Sequence, residues 1–165
     1  MIEISVELKS KFHKVVINST TYNICLKTSN NKKNNLKALL NFINKNGLNT
    51  NGIVSFCLNN FCFFSILIWN KSYLLAAVDQ VSSYPLIYKK DKNKIKVSDH
   101  INFFKKEKIN NKSLIQIKYA GYTIYNNTVY KNVFGLDPLE YILKNKKIYK
   151  KRIFKKFDFS YKKKN

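Results

Sequence analysis

The chain has 165 residues, 45% of them hydrophobic, which suits one globular domain and excludes an intrinsically disordered chain. It carries 31 basic residues against 9 acidic ones, a formal charge of +22, which suggests a polyanionic partner, nucleic acid or a membrane surface. Only Arg152 is arginine, leaving 30 lysines beside abundant Asn, Ile, Phe and Tyr.

Two accounts of that charge compete. A selected polyanion site would be expected to hold more arginine, which clamps phosphate through two parallel hydrogen bonds. An AT-rich genome encodes the observed residue set without any such selection. Weak, non-specific polyanion binding at low salt follows from either.

In chain order, Ile2, Ile4, Val6 and Leu8 alternate with polar residues and predict a half-buried strand. Val15–Ile17 and Tyr22–Leu26 predict two more strands around Asn18-Ser19-Thr20. Residues 29–35 are polar and read as a loop. Leu36, Leu39, Leu40 and Ile43 recur at helical spacing ahead of Gly47, which predicts a helix over Asn34–Asn46. Ile53–Leu58 and Phe61–Trp69 flank Asn59-Asn60 and are expected to form a β-hairpin.

Tyr73–Val78 predicts a further strand. Leu86–Tyr88 and Ile95–Val97 flank the charged tip "KKDKNK". Three or four adjacent antiparallel strands are thus expected within Ile53–Val97, apolar on both faces and therefore covered on both. Ile101–Lys112 is lysine-rich and reads as helix or loop. Thr123–Tyr130 holds an Asn126-Asn127 turn, and Leu139–Leu143 with Lys147–Phe154 predicts a late hairpin.

Several chemistries find no support. Cys25, Cys57 and Cys62 lack metal-ligand spacing and read as buried thiols. No carboxylate lies between Glu7 and Asp79, so no element carries a close acid pair. His13 stands alone. His100 has only Asp99 beside it, and adjacent strand residues point to opposite faces. The four glycines are scattered and form no phosphate loop. "YKKRIFKKF" at Tyr149–Phe157 interleaves aromatics with cations, as a single-strand-stacking surface would. A lysine-protected edge hairpin has the same pattern. No metal or cofactor is expected. The N-terminus has no apolar leader, and Asn59-Asn60 interrupts the longest apolar tract, so no membrane span and a cytoplasmic location are expected.

Four ordered stretches carry a family resemblance. "AAVDQVSSYPLIY" (Ala76–Tyr88) resembles the "A-R-D-R-x-G-x-x-P-L-Y-Y" segment of class II glutamine amidotransferases of the asparagine synthase type. "FCFFSILIW" (Phe61–Trp69) is similar to "G-x-F-A-F-A-L-W-D", with Asn70 in place of the Asp. "KVSDH" (Lys96–His100) is similar to the "A-S-E" segment. "TVYKNVFGLDPLEYI" (Thr128–Ile142) is similar to "T-x-x-x-x-I-x-x-L-x-P-G-x-Y-L", with Leu139 replacing Gly. With the helix before Gly47, the resemblance spans about two-thirds of the chain, Asn34–Leu143.

The resemblance implies an α+β fold: an N-terminal-nucleophile (Ntn) hydrolase-like αββα sandwich of two antiparallel sheets covered by helices. It implies that residues 1–145 form a degenerate amidotransferase-like domain, with 146–165 a basic hairpin or linker leading toward a synthetase domain. The matched positions Asp79, Pro85, Tyr88, Ser98, Asp99, Thr128 and Pro138 then have structural roles, and Asp79 holds the turn after a central strand by accepting backbone N–H bonds. The family's nucleophile is a Cys at position 2, where this chain has Ile2. The "R-G-P-D" and "N-G-E-I-Y-N" loops are missing, and the substrate-binding Asp falls near Asn35.

The expectation is a non-catalytic glutaminase-like domain, a structural or regulatory partner of an ATP-dependent, amide-forming PP-loop synthetase domain. Nothing in the chain matches the "S-G-G-x-D-S" opening of such a domain. The alternative is a small basic nucleic-acid-binding module.

Overall fold

The computed structural model describes residues 3–29, 32–145 and 148–152. Position 2, the last residues of "YKKRIFKKF" and the basic tail lie outside them.

The first strand, β1 (Glu3–Glu7), alternates as expected, with Ile4 and Val6 turned into the core. β2 (His13–Ile17) and β3 (Thr20–Thr28) form a hairpin. Its two-residue turn, Asn18-Ser19, has φ of 47° and 61°, the left-handed pair that matches the twist of the flanking strands. Helix α1 (Lys32–Asn46) ends at Gly47, whose φ of 66° closes the last turn with an N–H bond to Ile43 O.

The expected strand at Ile53–Leu58 is instead a helix, α2 (Thr50–Asn60). The Asn49 side chain caps it by accepting from Gly52 N at 3.2 Å. Ile53, Val54 and Cys57 then fall on one buried face at helical spacing. The asparagines read as a hairpin turn are its last residues, and Asn60 Nδ2 bonds back to Phe56 O at 2.8 Å.

β4 (Phe64–Trp69) and β5 (Leu74–Val78) follow, then β6 (Ile87–Lys90), β7 (Lys94–Ser98), a short 3-10 helix (Ile101–Phe104), α3 (Asn111–Ala120), β8 (Val133–Gly135), β9 (Glu140–Lys144) and β10 (Ile148–Arg152). α3 has no counterpart among the elements expected from periodicity. Asn110 and left-handed Gly121 bracket it, yet Ser113 is its one buried residue, so no apolar stripe announces it. Thr123–Tyr130 is irregular, with a turn at Tyr125-Asn126 beside the expected Asn126-Asn127 position.

The strands make two sheets. One has six strands in the order β10-β9-β5-β4-β3-β2, with every pairing antiparallel. The other has the order β1-β7-β6-β8, and its β1–β7 pairing is parallel, so it is mixed and not purely antiparallel. The strands within Ile53–Val97 are therefore split between two sheets: β4 and β5 in one, β6 and β7 in the other.

Two apolar layers result. Phe64, Ile66, Ile68, Leu75 and Ala77 pack against Leu39, Ile43, Ile53 and Cys57 of the two helices. The alternate residues Leu67, Leu74, Ala76 and Val78 pack against Ile95, Val97 and Leu136 on the other sheet's side. Being sandwiched in this way makes β4 and β5 apolar on both faces. The outer face of the mixed sheet carries Lys96, whose Nζ lies 5.2 Å from the ring centroid of buried Phe104 in the 3-10 helix. The chain thus has the expected α+β architecture of two stacked sheets with helical cover. Among the described residues no helix is long and apolar enough to cross a membrane.

Candidate functional site

The point where the chain leaves one sheet for the other lies between β5 and β6. Asp79 stands there, 1% exposed, one residue past the end of β5. Its Oδ2 accepts Phe64 N at 2.8 Å, and its Oδ1 accepts Val81 N at 2.8 Å and Ser83 N at 3.2 Å. Its own backbone carbonyl accepts Leu139 N at 3.0 Å. One carboxylate therefore holds the start of β4, the crossover loop and, through its backbone, the turn before β9. A carboxylate buried with backbone donors on both oxygens is a brace.

Pro85 and Pro138 border the same junction. Both are exposed, while their neighbours Leu86 and Leu136 are buried and joined by a Leu136 N to Leu86 O bond of 2.8 Å. Leu139, where the family has glycine, has φ of 59° and adopts the left-handed conformation a glycine would favour. Tyr88 packs into the layer between the sheets, with its ring centroid 5.9 Å from that of Phe134. Thr128 Oγ1 accepts Tyr130 N at 3.2 Å and donates to Val133 O at 2.9 Å, which shapes the entry to β8. Asn70 serves where the family has Asp: its Oδ1 accepts Ser72 N at 2.9 Å and Tyr73 N at 2.8 Å in the β4–β5 turn.

Ser98 and Asp99 form a second cluster at the end of β7. The Asp99 side chain is 1% exposed and accepts Lys9 N at 2.8 Å, Ser10 N at 3.1 Å and Lys27 Nζ at 3.0 Å. Burial alone would push its carboxyl up. Hydrogen bonds from Ser10 and Lys9 and the Lys27 ammonium outweigh burial and hold it at about 2. His100 turns to other partners: its Nδ1 accepts Asn102 N at 3.2 Å and its backbone N–H donates to Ser98 Oγ at 3.1 Å. The sequence neighbours Asp99 and His100 thus do different work.

Among the described residues no group of three His, Cys, Asp or Glu side chains is placed to hold a metal. Burial pushes the Cys25 thiol up to about 11 and pushes the Cys57 thiol up as well, which keeps both protonated at neutral pH. Cys62, expected to be buried, is exposed, because the chain turns outward where α2 hands over to β4. It borders a cleft of about 150 Å³ with Thr28, Asn35, Asn60 and Phe63, whose described lining holds no other ionisable group. Asn35, in the first turn of α1, donates from Nδ2 to Thr28 Oγ1 at 3.1 Å there.

One surface stands apart. On α3 and the loop after it, Ile115, Tyr119, Tyr122 and Tyr125 are exposed, Tyr119 by 81% and Tyr125 by 88%. The sequence hinted at this face only through apolar residues lacking a consistent helical stripe.

No known protein family matches the chain, and no curated protein does. Among solved structures it is similar to glutamine phosphoribosylpyrophosphate (PRPP) amidotransferase from B. subtilis complexed with ADP and GMP. That superposition has a TM-score of 0.49 at 14% identity and covers 82% of this chain and 30% of that one. The chain thus spans less than a third of the length of the protein it resembles.

Proposed function

We propose that this chain is a non-catalytic glutaminase-like domain of the asparagine synthase type, with a structural or regulatory role toward an ATP-dependent, amide-forming PP-loop domain. The four ordered motifs support the family reading, and the backbone-bound carboxylate at Asp79 fits the structural part it would have there. The observation that carries the non-hydrolytic half concerns the thiols. Cys25 and Cys57 are buried and held protonated, and the described residues lining the cleft beside Cys62 include no base to activate it.

The exposed apolar face of α3 supports the partner half. Clustered tyrosines and isoleucines on a soluble surface mark contact sites, and a synthetase domain is the occupant proposed. Such a partner would draw on free ammonia, another amine donor or a separate glutaminase subunit.

Glutamine hydrolysis by the purified chain tests the first half: glutamate release is expected at the level of the buffer blank, and release proportional to protein concentration overturns it. Coexpression with an S-G-G-x-D-S domain encoded downstream or at a neighbouring locus tests the second. Copurification that is lost with Ile115→Asp plus Tyr119→Asp is expected. A locus and its neighbours without such a domain overturn the partner assignment.

A further inference from the structure

A cleft of about 550 Å³ opens between the β1–β2 loop, β3 and the first turn of α1. Lys11, Lys27 and Lys33 line it with Ser10 and His13, with no carboxylate among its described lining residues. The other side is apolar, made of Leu26, Leu36 and Tyr84.

Three lysines converge on this concave wall, and each ammonium adds to the positive potential that the others set up there. Lys27 is held by Asp99, which also fixes the loop through Lys9 N and Ser10 N. Lys11 and Lys33 have no ion-pair partner among the described residues. Lys33 also sits in the first turn of α1, which has no acidic residue, so its charge adds to the positive end of the helix dipole. Both features raise the positive potential of the cleft, which favours a bound anion. The volume suits a small molecule, for which pockets run roughly 300–1,000 Å³.

From this geometry we propose that the cleft binds a small organic phosphate. The phosphate lies among Lys11, Lys27 and Lys33, and the apolar body of the ligand lies on Leu26, Leu36 and Tyr84. The proposal goes beyond the amidotransferase reading and does not depend on it.

Phenyl phosphate and inorganic phosphate share a headgroup and differ in the apolar body, so titrating the chain with each at about 150 mM salt separates the two walls. Saturable one-site binding is expected, with phenyl phosphate at least about fivefold tighter and the preference removed by Tyr84→Ala. Lys11→Gln with Lys33→Gln should weaken phenyl phosphate by about tenfold or more. Lys90→Gln with Lys92→Gln, at the distant β6–β7 turn, should change it by less than about twofold. All four lysines are exposed, so both variants are expected to fold. Equal losses from the two lysine pairs, or no saturable binding, would reduce the site to diffuse surface charge and overturn the proposal. A ten-nucleotide single strand that binds more tightly than phenyl phosphate through Lys11 and Lys33 would assign the cleft to a polymer backbone and overturn it equally.

Discussion

Asp79 and Phe64 hold each other through two hydrogen bonds: the carboxylate Oδ2 accepts Phe64 N at 2.8 Å, and Asp79 N donates to Phe64 O at 3.1 Å. The pair ties the first residue of β4 to the point where the chain leaves β5 for the other sheet. Asp79→Ala would leave three buried or part-buried N–H groups without their acceptor and is expected to cost about 3–5 kcal/mol. Asp79→Asn, which has one acceptor oxygen in place of two, should cost about 2 kcal/mol. Urea denaturation of the three proteins should rank them in that order, and an unchanged midpoint for Asp79→Ala would show that the brace is dispensable.

Asp99 makes stability depend on acid. Its folded pKa of about 2 lies below the ordinary carboxylate value, so its contribution is complete above about pH 4 and disappears as pH falls toward 2. Asp99→Asn should therefore be less stable than the wild type by about 1–2 kcal/mol at pH 7. The gap should shrink between about pH 4 and pH 2. Paired denaturation curves at several pH values would reveal a constant gap if the carboxylate were not responsible.

Leu139 occupies a left-handed position with φ of 59°. Leu139→Gly removes strain of about 1–2 kcal/mol and adds unfolded-chain entropy of similar size, so the net change is expected within about 1 kcal/mol. Leu139→Val puts a β-branched side chain into the same conformation and should destabilise by about 1 kcal/mol or more. Thermal melts of both variants check the contrast, which equal destabilisation by Gly and Val would contradict.

Asn49 begins α2 where the sequence had suggested a strand. Asn49→Ala is expected to cost about 1 kcal/mol, and Asn49→Ser or Asn49→Asp to recover most of it. If Ala and Ser lower the melting temperature equally, the cap contributes nothing.

The net charge of +22 predicts oligonucleotide binding with steep salt dependence. Affinity for single strands and duplexes should fall by about 10³-fold or more between 50 and 200 mM salt. Affinity that survives near physiological salt would favour the basic nucleic-acid-binding module over an incidental lysine surface.

The parts of the fold that were legible in advance are those in which local chemistry decides. The alternation of Ile4 and Val6 with Glu3, Ser5 and Glu7 determined β1, and Leu36, Leu39, Leu40 and Ile43 ahead of Gly47 determined α1. The doubly apolar β4 and β5 announced cover on both faces. Ile53–Leu58 misled because a short, continuous apolar run has no period of its own, and the small capping signal at Asn49 had to outrank it. α3 escaped because its apolar residues face outward.

By itself, then, the sequence determined the element types wherever periodicity and turn residues agreed, and the positive charge. Only the tertiary structure decided how the strands divide between two sheets, that β1 runs parallel to β7, and that Asp99 meets Lys27 across 72 positions of chain. Periodicity reports whether a face is buried, since burial is a property of each side chain. Which surface does the burying depends on contacts between distant segments, and the cleft that gathers Lys11, Lys27 and Lys33 exists only once those segments have packed.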